Sequence, residues 1–213
     1  MTERREMPEE IGARLDLEWR SLLAAISAPE RSPLDLPPDR RRAVSPVALL
    51  AELEEVREEW TSLQGVVDEE MGARFANAAW TLKDLLAHLA SWAREFGSEI
   101  ATVARKESFD YAIPFAMSVL GPNQWNEREV QARRERTLEE IFREFDEETA
   151  RLQDLVIEMD EPALYRPTPF PLAPSGNQRE RLPVPPALLV SGKCLHDRYH
   201  FAQIRRLLDR LRE

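Results

Sequence analysis

Four stretches of this chain repeat their apolar residues at helical spacing, and each is bounded by helix-start or helix-stop chemistry. In the first, Ser45-Pro46 offers an N-cap and a proline at the first helical position. Val47, Leu50, Leu53, Val56, Trp60 and Leu63 follow, and the run is expected to close between residues 68 and 72. In the second, Thr81 and Asp84 stand as a capping-box variant, flanked by Trp80 and Leu85 at staple positions. Leu82, Leu86, Leu89, Trp92, Phe96, Ile100 and Val103 then form a broad stripe. The third runs from residue 123 to about 161 through Trp125, Val130, Leu138, Ile141, Phe142, Phe145, Leu152, Leu155 and Ile157. Thr137 with Glu140 marks a kink or restart, and Pro162 a stop. The fourth opens at Pro185-Pro186 and covers residues 187–211. Helices with one apolar face must bury it against one another. The expected fold is therefore all-α, an antiparallel four-helix bundle with long crossover connections.

The punctuation between the runs sets the domain plan. Residues 9–27 carry Ile11, Leu15, Trp19, Leu22, Leu23 and Ile26, an extra N-terminal amphipathic helix. Pro29, Pro33, Pro37 and Pro38 then make a strap. Residues 1–44 are expected to be an extension, and residues 45–213 the bundle. Residues 107–123 form a long apolar connection expected to cover one end of the bundle. Residues 162–186 hold eight prolines with little periodicity, a second crossover expected to be irregular. Seven glycines in 213 residues, against abundant Leu, Ala, Glu and Arg, agree with helix rather than sheet.

Composition excludes several classes of function. A net charge of −10 argues against a nucleic-acid surface, because affinity for phosphates comes from clustered Lys and Arg. The runs Arg40-Arg41-Arg42 and Arg133-Arg134 read as solvated faces. One cysteine excludes an intrachain disulfide framework and suits a reducing cytoplasm. No apolar run approaches the roughly 20 residues of a membrane span, and residues 1–6 begin no secretion signal.

Chemistry concentrates on the three histidines. His196 and His200 are four apart, hence one above the other on a helix face with Cβ atoms roughly 5–6 Å apart. His88 lies three after Leu85 and four before Trp92, on the inward face of its own helix. Three imidazoles from two helices could hold Zn²⁺, Ni²⁺ or a similar divalent ion with a position left open. The plain alternative is three half-buried histidines with ordinary hydrogen bonds, and spacing alone leaves the two readings balanced. Around them stand lesser candidates. Asp84, one turn before His88, could orient it, although it already serves the helix cap. Asp197 is roughly 100° round from His196 and is expected to be solvated or paired with an arginine. Trp92 and Tyr199 could line a pocket, with core packing the favoured reading for Trp92; Trp125 and Asn126 are further pocket candidates. Cys194 falls on nearly the opposite face from His196 and is a poor fourth ligand, expected to be a buried inert thiol.

The segments Trp80-Thr-Leu-Lys-Asp84-Leu-Leu-Ala-His88-Leu-Ala-Ser-Trp92 and His196-Asp-Arg-Tyr-His200-Phe-Ala-Gln-Ile204 resemble the second and final helices of the DinB-like superfamily. That superfamily includes the N-terminal domain of mycothiol-dependent maleylpyruvate isomerase. The resemblance covers about residues 45–211 and leaves the N-terminal extension aside. It implies a four-helix bundle with a divalent metal on His88, His196 and His200. It further implies a thiol-dependent S-transferase or isomerase, or a hydrolase, acting on a small molecule, with a low-molecular-weight thiol as cosubstrate. The alternatives are a bundle that sequesters a metal or ligand without turnover, and a structural helical protein. A homodimer is expected from the resemblance and from the unplaced apolar face around Trp19.

Overall fold

The computed structural model describes residues 45–76, 79–105, 122–165, 168–171, 181–184 and 186–212. The expected N-terminal helix and strap, and most of the apolar connection at 107–123, lie outside the described residues.

Helix α1 (Pro46–Gln64) begins where its sequence says it should. The Ser45 hydroxyl accepts from the Ala48 amide at 3.2 Å, and Pro46 occupies the first position, where no amide is required. Leu49, Leu53, Val56, Trp60 and Leu63 face inward. The helix stops at Gly65, earlier than the apolar run suggests. A separate short helix α2 (Glu69–Gly72) follows, capped by the Asp68 carboxylate. Helix α3 (Leu82–Arg105) carries the reciprocal cap expected of Thr81 and Asp84. Asp84 N donates to Thr81 Oγ1 at 3.1 Å, and Thr81 N donates to Asp84 Oδ2 at 3.0 Å.

The third apolar run divides in two. Helix α4 (Pro122–Gln131) ends in a turn at 132–136, and helix α5 (Leu138–Glu158) restarts under a full capping box of Thr137 and Glu140. Ile157, the last residue of the apolar run, is exposed. Pro162 does not end it. The chain already leaves helical geometry at Met159, and Pro162 sits in the first turn of α6 (Glu161–Tyr165), where proline is tolerated. The described parts of the proline-rich crossover are not all irregular. Strands β1 (Thr168–Pro171) and β2 (Arg181–Val184) pair antiparallel, Thr168 opposite Val184, a two-stranded ribbon in an otherwise helical chain. Helix α7 (Pro186–Arg212) completes the described chain.

Each of the four long helices packs on two of the others. Helix α3 lies against α5 and α7, and α1 lies against the same pair from the other side. Trp60 fastens this arrangement. Its ring stacks on Phe145 of α5 at 4.0 Å between centroids and lies 6.1 Å from Phe201 of α7. Its indole N–H donates to the Phe142 carbonyl at 3.0 Å, so this large buried side chain leaves no polar atom unanswered. The histidine-bearing helices α3 and α7 are thus neighbours, each backed by α5 or α1. Among the described residues no helix is long and apolar enough to cross a membrane.

Candidate metal centre

Adjacent packing of α3 and α7 brings the three imidazoles together. His88 Nε2 lies 3.2 Å from His200 Nε2 and 3.3 Å from His196 Nε2. One nitrogen from each ring falls within 4.8 Å of the other two. Zinc–nitrogen bonds of about 2.0–2.1 Å in a tetrahedral arrangement set neighbouring nitrogens about 3.3–3.4 Å apart, so the separations have the size one small cation requires. The fold thus brings together the three histidines singled out from the sequence.

The far side of two rings explains which nitrogens point inward. His196 Nδ1 lies 3.3 Å from Asp197 Oδ1, and His200 Nδ1 lies 2.9 Å from Gln203 Oε1. Both oxygens accept, so each Nδ1 carries the hydrogen, and in the neutral form of each ring it is Nε2 that presents the lone pair. Burial pushes His88 down to about 2, helped by its neighbours His200 and His196. Burial and His196 likewise push His200 down to about 4. Near neutral pH both rings are uncharged bases. In the neutral rings the lone pairs of His196 and His200 converge on a third nitrogen that can offer at most one hydrogen, while His88 Nδ1 is buried with no hydrogen-bond partner among the described residues. Three imidazoles grouped in this way could bind a metal ion.

The surroundings are mostly aromatic. The Trp80 ring is 5.1 Å from His88, Trp92 is 5.6 Å from His196, and Phe96 is 6.4 Å from His196. Trp92 also packs on Trp125 at 4.7 Å and donates to Asn126 Oδ1 at 2.9 Å, so α4 holds this wall in place. Trp125 is a buried core residue and Asn126 a support for Trp92. Tyr199 stands 5.1 Å from the far edge of the group at His200. The His196 side chain keeps 24% exposure, which leaves the cluster reachable from solvent among the described residues. Beyond Gln203 a cleft of about 550 Å³ opens, lined by Ala76, Leu85, Gln203, Arg206, Asp209 and Arg210.

Two of the lesser candidates take the plainer role. Asp84 is consumed by the α3 cap and an ion pair with Arg134 at 3.3 Å, and none of its hydrogen bonds goes to His88. Cys194 is fully buried, its thiol pushed up to about 12 by burial. A third expectation is overturned. Asp197 is neither solvated nor paired with an arginine: it has no exposed surface, and its Oδ2 lies 2.7 Å from Lys193 Nζ. Burial alone would raise this carboxyl, but the Lys193 ammonium, followed by His196, holds it below the usual range. The sequence does contain a signal for this pair, a lysine and an aspartate four apart in an apolar helix. Gln203 supports His200 from three residues further along the same helix face, with no signal beyond that spacing.

Residues 52–177 match the family model of the mycothiol maleylpyruvate isomerase N-terminal domain, more than half of the chain. The matched span contains His88 and ends before His196 and His200, so folding, rather than the match, brings the last two to the site. No curated protein and no solved structure matches the chain. The chain belongs to the mycothiol maleylpyruvate isomerase N-terminal domain family, within the DinB-like superfamily.

Proposed function

We propose that His88, His196 and His200 hold one divalent cation, zinc or nickel by the imidazole donor set, inside an antiparallel four-helix bundle, and that this centre serves a reaction on a small molecule. The observation that carries the reading is the convergence of three Nε2 atoms, two of them turned inward by acceptors behind the ring. A cation there supplies Lewis acidity, which polarises a carbonyl or lowers the pKa of water or of a thiol toward neutrality. The chain's own contribution is a dry aromatic wall, fixed imidazole tautomers and one side open to solvent. The family name points to a low-molecular-weight thiol as cosubstrate, hence S-transfer or thiol-assisted isomerisation, with hydrolysis as the same centre's use of water. The cleft at Gln203 has the size of a small-molecule site and joins the cluster through the His200 hydrogen bond. A second reading, sequestration without turnover, draws on Trp80, Trp92 and Phe96. They offer a guest apolar surface but no reacting group.

Elemental analysis of the tag-free full-length protein tests the centre. About one equivalent of divalent metal is expected, with loss of that metal in His196→Ala. Unchanged metal content in the variant would remove the basis for the reading. Turnover of a small thiol with an activated aryl halide or an epoxide, present in the native protein and absent from the variant, separates catalysis from sequestration.

A further inference from the structure

Lys193 has no exposed surface, a position lysine occupies only when its charge is answered. Three groups answer it. Asp197 Oδ2 lies at 2.7 Å, Thr149 Oγ1 accepts from Nζ at 3.0 Å, and the Phe145 ring centroid lies 4.5 Å away beneath the ammonium. Thr149 and Phe145 belong to α5, which contributes no histidine to the centre. The other Asp197 oxygen faces His196 Nδ1 at 3.3 Å. A continuous chain therefore runs from α5 through Lys193 and Asp197 to the back of the His196 ring.

Holding the helices together does not call for this arrangement. A buried ion pair contributes little net stability compared with apolar side chains of the same volume, because desolvation of both charges offsets their attraction. What a leucine or methionine could not do is set a carboxylate oxygen against one particular ring nitrogen. An imidazole turns easily about its second side-chain torsion, whose preference is broad, so a ring without a partner behind it does not hold its Nε2 on one point. The carboxylate in turn needs an anchor, since a buried anion with one weak partner would swing toward any other donor or admit water.

We propose that Lys193 is a positioning residue for the metal centre: it anchors Asp197 against His196, and through that contact sets how tightly and in what geometry a cation is held. This rests on the reading of the three histidines as a metal site. Lys193 also links the centre to α5 through Thr149, so the core's packing is transmitted to one of the three ligands.

The test uses tag-free full-length protein stripped of metal and reloaded. Zinc affinity is read by competition with a chromophoric chelator, and coordination geometry by the visible ligand-field spectrum of bound Co²⁺. Lys193→Met is expected to weaken zinc binding by about 10–100-fold and to shift the Co²⁺ bands while helix content is retained. Lys193→Met/Asp197→Asn is expected to bind no more weakly than the poorer of the two single variants, because the residues act as one unit. Native affinity and spectrum in Lys193→Met would overturn the proposal, as would losses that multiply in the double variant. If Lys193→Met does not fold, the double variant, which leaves no unpaired charge in the core, carries the test. Native affinity and spectrum there overturn the proposal, and a tenfold loss with shifted bands upholds it. If the unaltered protein binds neither Zn²⁺ nor Co²⁺, it is the metal reading itself that falls.

Discussion

Two polar clusters among the described residues are balanced very differently. Around Arg133, at the turn between α4 and α5, donors and acceptors match. Its guanidinium donates to both Glu144 carboxylate oxygens at 2.6 and 2.9 Å, to Glu129 Oε2 at 3.0 Å and to the Glu129 carbonyl at 2.9 Å. Arg94, Arg128 and Arg136 close the outer edge on the same two carboxylates. Between α3 and α7, by contrast, three imidazoles each turn one nitrogen toward the others, and His88 Nδ1 has no hydrogen-bond partner among the described residues. A closed network stiffens a fold and needs nothing further. The histidine cluster leaves hydrogen-bonding capacity unmet among the described residues, and that difference, more than burial or spacing, marks it as the candidate site.

The contrast breaks most directly at Arg133, which is only 1% exposed. Arg133→Met leaves Glu129 and Glu144 as buried carboxylates without their central partner and is expected to cost about 3–5 kcal/mol in urea unfolding. The folded fraction should still bind its full equivalent of metal, since the network touches none of the three histidines. Lost metal with unchanged stability would reverse the roles assigned to the two clusters.

Much of this was legible in the chain, for reasons that can be stated. The histidines were readable because ligand spacing on a helix is a local property: His196 and His200 share a face whatever packs on it. The caps at Ser45, Thr81 and Thr137 were readable for the same reason, each being settled within four residues. What failed depended on neighbours. Arg133-Arg134 reads as a solvated face, yet Arg133 turns inward because Glu129 lies one turn before it and Glu144 arrives from α5. Asp197 reads as exposed because it is 100° from the histidine face, but α7 is covered by both α1 and α3, so that side is interior too. The β1–β2 ribbon was hidden by its prolines, which suppress helical periodicity without announcing a strand pair.

Acid sharpens the comparison, because the two clusters respond in different pH windows. His88 and His200 are held at about 2 and about 4 in the fold, against an ordinary 6.5. Below 6.5 the unfolded chain takes up protons that the metal-free fold refuses, so stability falls as pH drops from about 6.5 toward 4. The slope reaches at most about 1.4 kcal/mol per pH unit for each ring. Glu129 and Glu144 shift the same way for a different reason. Burial alone would raise them, but hydrogen bonds from Arg128 and Arg133 to Glu129, and from Arg133 to Glu144, hold both below 4.5. Their contribution is complete above 4.5 and is lost only as pH falls below it. Urea unfolding of metal-free protein between pH 6 and 5 should therefore slope in the native chain and in Arg133→Met alike, and slope less in His88→Phe. An equal slope in His88→Phe would place the acid response outside the histidine cluster.

The smallest expected effect tests whether the two clusters are mechanically separate. Thr137 Oγ1 accepts from the Glu140 amide at 3.2 Å, and Glu140 Oε2 accepts from the Thr137 amide at 2.8 Å, fixing where α5 begins. That start sets the position of Glu144 relative to Arg133, so Thr137→Ala loosens the closed network at its edge and should cost about 1 kcal/mol in thermal or urea unfolding. Among the described residues Lys193 ties the histidine cluster to α5 through Phe145 and Thr149, about two and three turns further along the helix. Fraying of the first turn dies out within that distance, because each later residue is held by its own i to i−4 bond and by packing on α3. Zinc affinity in Thr137→Ala should equal that of the native protein. A drop as large as that expected of Lys193→Met would mean that α5 moves as a rigid rod, joining the closed cluster to the open one.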